Sequence, residues 1–175
     1  MIESAKINPL SYPSRQQLTP ITEPVMLSVT EGITKEHLEE IYSDPYITKI
    51  GHDHRPAAPI EHPLVTYLSA WIDGKFAGAF MAIQFTAIEL ELHALLKKSS
   101  IFYSRDLARK FLEWAFEKPI LRVTAYIIDG LDSAKNFCLK LGFHYEGRRR
   151  NACVQNGSAK DIHVLGMTRE DWSAL

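Results

Sequence analysis

The sequence predicts a single α/β (α+β) domain built on a mixed sheet, and three observations carry that reading. Short apolar runs with period two alternate along the chain with amphipathic segments of period 3.6. Two hairpin signals, Asp73-Gly74 and Gln155-Asn-Gly157, join pairs of such apolar runs. One helical pattern ends on Gly142, the residue type that takes a left-handed cap at least cost. The resulting order is arm, β, α, loop, β-hairpin, β, α, β, α, β-hairpin.

Residues 1–22 contain Pro9, Pro13 and Pro20 among polar residues, with no period that would bury a face, and read as an extended arm. The domain proper spans residues 23–175. Val25 to Val29 is its first strand, and Thr34 to Tyr42 a short helix with Thr34 as N-cap and His37 at the capping-box position. From Asp44 to Pro63 the chain reads as irregular, because Pro45, Pro56, Pro59 and Pro63 punctuate it around Gly51-His-Asp-His-Arg55 and His62. A loop that long is expected to be functional. Leu64 to Ile72 and Phe76 to Phe85 form the first hairpin. Ile88 to Leu96 is a strand whose first half alternates, with Glu89, Glu91 and His93 on one face and Leu90, Leu92 and Ala94 on the other.

The next helix carries Leu107, Phe111, Leu112, Ala115 and Phe116 on one face, with Arg105, Arg109, Lys110 and Glu113 away from it, and Pro119 stops it. Trp114 borders the apolar stripe as packing. Leu121 to Ile128 is a strand and Asp132 to Leu141 a helix. Phe143 to Arg150 and Lys160 to Met167 make the last strand pair. Arg148-Arg-Arg150 reads first as a charged edge that blocks strand addition and second as an anion site.

Bulk properties exclude several classes. A chain of 175 residues with 46% hydrophobic and 23% charged residues is long enough to bury a core, and a net charge of −1 disfavours nucleic acid as a partner. Cys138 and Cys153 are too few for a disulfide framework or a zinc site, and they suit a reducing compartment. The N-terminus lacks a basic region followed by an apolar one, and no window approaches the ~18 apolar residues of a membrane span. The expectation is a cytoplasmic protein without membrane or metal partners. His52, His54 and His62 with Asp53 lack the preset spacing that metal ligation uses.

Several stretches together resemble the GNAT superfamily of acyl-CoA-dependent N-acetyltransferases. Ala134-Lys-Asn-Phe-Cys-Leu-Lys-Leu-Gly-Phe143 is similar to that family's helix ending in Leu-Gly-Phe. Tyr145-Glu-Gly-Arg148 and Met167-Thr-Arg-Glu-Asp-Trp172 resemble the branch that acetylates ribosomal-protein N-termini. The resemblance spans about residues 25 to 172 and is strongest after 120. It implies a central, mostly antiparallel sheet flanked by helices, and a splay between strands beside which acetyl-CoA lies along Leu95, Leu96 and Lys97. It also places the pyrophosphate near Ser100, Ser104 and Arg105, at a helix N-terminus whose unpaired N–H groups attract anions, with Ser104 as N-cap offering a hydroxyl and Arg105 a charge. The family's glycines and leading basic residue fall here on Ser99, Ser100, Phe102 and Ser104, which makes this a degenerate loop. Its frequent asparagine falls on Leu131, and the tyrosine often taken as general acid falls on Cys138.

Within that frame Glu89 or Glu91 is the candidate base that takes a proton from the acceptor amine, with His93 as relay and Cys138 near the departing thiol. Solvation of one face of a half-buried strand explains the same alternation without chemistry. Two functions stay open. One is acetyl transfer from acetyl-CoA to a primary amine, on a small molecule or a protein N-terminus. The other is a non-enzymatic binding or assembly module, such as a phage or prophage particle component, with homo-oligomer contacts through the arm.

Overall fold

A computed structural model describes residues 24–53 and 57–175. The expected arm and His54 lie outside the described residues. The strands are β1 (Leu27–Glu31), β2 (Val65–Ile72), β3 (Lys75–Thr86), β4 (Glu89–Leu96), β5 (Arg122–Ile128), β6 (His144–Gln155) and β7 (Ser158–Thr168). The helices are α1 (Lys35–Ser43), α2 (Pro45–Thr48), α3 (Ser104–Glu117), α4 (Asp132–Leu141) and α5 (Arg169–Ser173). One seven-stranded sheet runs β1-β2-β3-β4-β5-β7-β6, antiparallel throughout except for the parallel β4–β5 pair. The bulged, basic β6 is an edge strand, where the run Arg148 to Arg150 discourages further pairing.

Local chemistry explains most boundaries. Thr34 caps α1 by accepting from the His37 N–H, while the His37 ring stacks on Phe76 at 4.0 Å rather than reaching back to the cap. The stretch expected to be irregular from Asp44 contains α2, because Asp44 accepts from the Tyr46 N–H at 2.8 Å and Pro45 suits the first helical position. α4 ends on Gly142 at φ +103°, and α5 opens with a Thr168–Asp171 capping box.

The period-two strands divide their side chains between two cores. Leu90, Leu92, Val123, Leu165 and Met167 face α3 and α4 and pack with Phe80, Leu107, Phe111 and Leu112. On the opposite face Ala79, Met81 and Leu95 bury Ile41 of α1 and Ile47 of α2. No helix among the described residues is long and apolar enough to cross a membrane.

The antiparallel halves β1–β4 and β5–β7–β6 meet in only three paired positions, Glu89 with Arg122, Leu90 with Val123 and Glu91 with Thr124. A polar chain crosses this seam. Glu89 Oε1 accepts from Thr124 Oγ1 at 2.6 Å and Arg122 Nε at 3.2 Å, and the Arg122 guanidinium holds both oxygens of Glu146, one of them at 2.6 Å. Gly166, in register with Thr124, leaves room for that pair, since a Cβ there would collide with the Arg122 guanidinium and the Glu146 carboxylate. Hydrogen bonding from Arg122 holds the Glu146 carboxyl below its ordinary value, against the opposing effect of burial.

Two predictions follow from this packing. Gly78 has φ +132°, and a Cβ on it would stand 2.5 Å from the Leu95 carbonyl oxygen and 2.7 Å from Leu96 Cα. Gly78→Ala should therefore lower stability by about 2–4 kcal/mol, read from the urea midpoint. For Glu146 the folded value lies below the unfolded one, so its contribution is full above the ordinary value of 4.5 and is lost as pH falls through the lowered folded value. The melting-temperature difference between the native chain and Glu146→Gln should be constant near neutrality and shrink between pH ~5 and ~3.

Candidate active site

Beyond Glu91 and Thr124 the strands continue to Leu96 and Ile128 without a further rung, so the sheet opens into a V. The ladder fixes which backbone groups face that opening. The Lys97 N–H donates to Ala77 O at 3.0 Å, so odd-numbered residues of β4 bond to β3, and by alternation Ala94 and Leu96 turn their N–H and C=O toward the V. Ala94 is exposed although it follows buried Leu92 on the face toward the helices. The opening is therefore lined by a small side chain and by peptide groups that β5 does not pair.

Each lip of the V carries polar side chains on the face away from α3. On β4 the Glu91 carboxylate lies 2.8 Å from His93 Nε2, both half-buried. Glu89, lower on the same face, is occupied by Thr124 and Arg122. On β5 Tyr126 follows Arg122 and Thr124 at period two, with the Arg149 guanidinium 5.9 Å from its ring centre. Burial first, and then the charges of Glu91 and Glu89, raise the Tyr126 hydroxyl above its ordinary value, while Arg149 and Arg122 oppose them. After α2 the chain crosses to the β6–β7 hairpin at the open end of the sheet. There Asp53 Oδ1 accepts from the Val154 N–H at 2.8 Å and Gln155 Nε2 donates to the Gly51 carbonyl at 3.2 Å.

The turn from β4 into α3 is a 3₁₀ helix, Lys98–Tyr103, that runs into Ser104. Ser104 is thus the first residue of α3 and not its N-cap; Tyr103 occupies that position without a side-chain bond. The Ser104 hydroxyl donates to Ile101 O at 2.7 Å, and that of buried Ser100 donates to Lys97 O at 2.6 Å. Lys97 pairs with Glu40 of α1 at 2.5 Å, while Lys98 and Arg105 are exposed. Phe102 points outward, 90% exposed, and Tyr103 packs on the main core, so Phe102 does not fill the V.

The remaining candidate side chains point elsewhere. Leu95 is buried against α1 and α2, and Leu96 packs on the main core. Cys138 belongs to that core, and burial pushes its thiol up to about 11, so it stays protonated near neutral pH. His52 pairs with Asp53 at 2.6 Å and His62 Nδ1 accepts from the Leu64 N–H. Among the described residues no group of three or more His, Cys, Asp and Glu side chains is placed to hold a metal ion. Arg122, Thr124 and Tyr126 are lining residues of the V that sequence reasoning missed, whereas Arg149 belongs to the run Arg148 to Arg150, whose second reading is an anion site. Those three are signalled by the same alternation that marks Glu89, Glu91 and His93.

No protein-family model matches the sequence, and no curated protein matches it. Solved structures do match the fold. A chimeric spermidine N-acetyltransferase from Vibrio cholerae superposes with a TM-score of 0.72 at 12% identity, covering 85% of this chain and 99% of that one. The spermidine N-acetyltransferase from Vibrio cholerae in complex with CoA and spermine gives a TM-score of 0.70 at 13% identity, covering 84% and 98%. Identity this low speaks to architecture alone. A mixed, mostly antiparallel seven-stranded sheet, opened between β4 and β5 and flanked by helices, gives this chain the GNAT-like acetyltransferase fold.

Proposed function

We propose that this chain transfers an acetyl group from acetyl-CoA to a primary amine. The observation that carries the proposal is the open V, with peptide groups at Ala94 and Leu96 that β5 does not pair and the Glu91–His93 pair on its lip. The V fits the cofactor's chain of amides, because a ligand with alternating N–H and C=O groups can add to a free strand edge. At the turn the fit comes from charge. Ser100 and Ser104 already donate within the turn, so for a pyrophosphate the available groups are Lys98 and Arg105 near the N-terminal end of α3. Bound acetyl-CoA supplies an activated thioester: the amine nitrogen forms a C–N bond as the C–S bond breaks, one amine proton leaves, and the thiolate takes up a proton.

This chain's residues handle the amine proton. Among the three candidates on β4, Glu89 is committed to Arg122 and Thr124, so the open pair is Glu91 with His93. Glu91 holds Nε2 of the imidazole, which leaves Nδ1 as the acceptor for the amine proton. Cys138 stays within the core as packing. The stretches that resemble the ribosomal-protein branch also have structural work here, Glu146 in the seam and Thr168–Asp171 as the cap of α5. The internally satisfied serines of the turn are what favours the second reading, a GNAT-fold assembly module that binds no cofactor.

Acetyl-CoA at millimolar concentration should raise the melting temperature of the native chain, as linkage requires of a ligand for the folded state. Ala94→Trp should remove that shift while leaving the unliganded melting temperature unchanged, because Ala94 is exposed in the V. No shift for the native chain would sink the enzyme reading in favour of the assembly module. His93→Gln should lower kcat by ~10²–10⁴-fold with the acetyl-CoA shift retained, measured as free thiol released per unit time.

A further inference from the structure

We infer that the acceptor is a small amine that also carries a carboxylate, an amino acid, with the carboxylate held by Arg149. The inference rests on the transferase reading above and names its substrate class. On the sheet strands that line the acceptor face the carboxylates are already hydrogen-bonded: Glu89 to Thr124 and Arg122, Glu146 to Arg122, Glu91 to His93. A polycation would therefore find no uncommitted carboxylate among these strand residues. Arg149 is the converse case. Among the described residues no carboxylate lies within ion-pair distance of its guanidinium, although its neighbour Arg148 pairs with Asp161 at 3.3 Å.

Arg149 is also placed rather than merely exposed. It stands on β6 in register with Ile162, which pairs with Ile128 on β5, so its row lies at the open end of the V. The row beneath it runs Tyr126, Val164, Gly147, and the guanidinium lies 5.9 Å from the centre of the Tyr126 ring. Tyr126 and Arg149 thus form one lip and Glu91–His93 the other. An anion held at the first lip presents its amine to the imidazole at the second. A planar fork of N–H donors is the group that matches a carboxylate in two places at once. The tether of Gly51 and Asp53 to Val154 and Gln155 crosses the open end on this side, which favours a short acceptor over a polypeptide.

The test compares acids with the amines that differ from them only by the carboxylate: histidine with histamine, tyrosine with tyramine, lysine with cadaverine. Spermidine and a peptide with a free N-terminus and an amidated C-terminus complete the panel. With the native chain and acetyl-CoA, at least one acid should exceed its decarboxylated partner in kcat/KM by about tenfold or more. Arg149→Met should abolish that preference, mainly through KM, with the acetyl-CoA melting shift unchanged. Equal or greater turnover of the decarboxylated amines, of spermidine or of the peptide would overturn the inference, as would a preference that survives Arg149→Met, or no turnover of any acid. If the native chain shows no acetyl-CoA shift at all, the transferase reading fails and this one with it.

Discussion

The architecture depends on how two antiparallel half-sheets are joined by three rungs of parallel pairing. Parallel rungs alone are a weak link, and behind them only Leu90 and Val123 are buried on the core side. The chain Glu89–Thr124–Arg122–Glu146 supplies the rest, spanning β4, β5 and β6 with one guanidinium shared by two carboxylates. A half-satisfied network at that depth would be worse than none, since a partly buried charge without its partner keeps its desolvation cost. Gly166 belongs to the same device. It is the bare position over which the guanidinium and carboxylate lie.

Concentrating the joint at one end is what frees the other. Past Glu91 the two half-sheets are each held by their own neighbours, β4 by β3 and β5 by β7, so their ends diverge without losing internal order. Close contact at Gly78 keeps the end of β4 against β3, and α1 and α2 seal its outer side through Leu95. The V is therefore braced on both sides by packed elements. On the proposed transferase reading such bracing would keep a base within hydrogen-bond reach of an amine held in place by other contacts.

How much of this was legible in the sequence follows from the range of each interaction. Period-two and period-3.6 patterns identified all seven strands and the three longer helices, because those signals sit within a few residues of one another. The same alternation marked Glu89, Glu91 and His93 as one face. It could not show that Glu89 would be taken by groups 33 and 35 residues away, leaving Glu91 and His93 as a pair. Arg149 was read as part of a charged edge, which is where it lies; only the register of β5, β7 and β6 reveals that it leans over Tyr126. Ser104 shows the opposite failure. Its residue type suits an N-cap, but a 3₁₀ turn ahead of it offered the Ile101 carbonyl, and the hydroxyl bonded there instead.

That turn also bears on how a glycine-free connection holds its shape beside an anion site. Glycines let backbone approach a phosphate closely, and their replacement by Ser100 and Ser104 gives a turn tied by its own hydroxyls to Lys97 and Ile101. Lys97 is in turn fixed to Glu40, so the start of the turn is anchored to α1. A connection organised this way has little freedom to wrap around a phosphate. For a pyrophosphate at this end of α3, attraction then comes from the helix end and from the exposed charges of Lys98 and Arg105. Exposed charges act through solvent and are screened over about 8 Å at physiological salt, so they contribute less to affinity than a cradle of backbone donors would. On the transferase reading proposed above, the peptide groups of Ala94 and Leu96 in the V would supply more of the cofactor's binding than the turn.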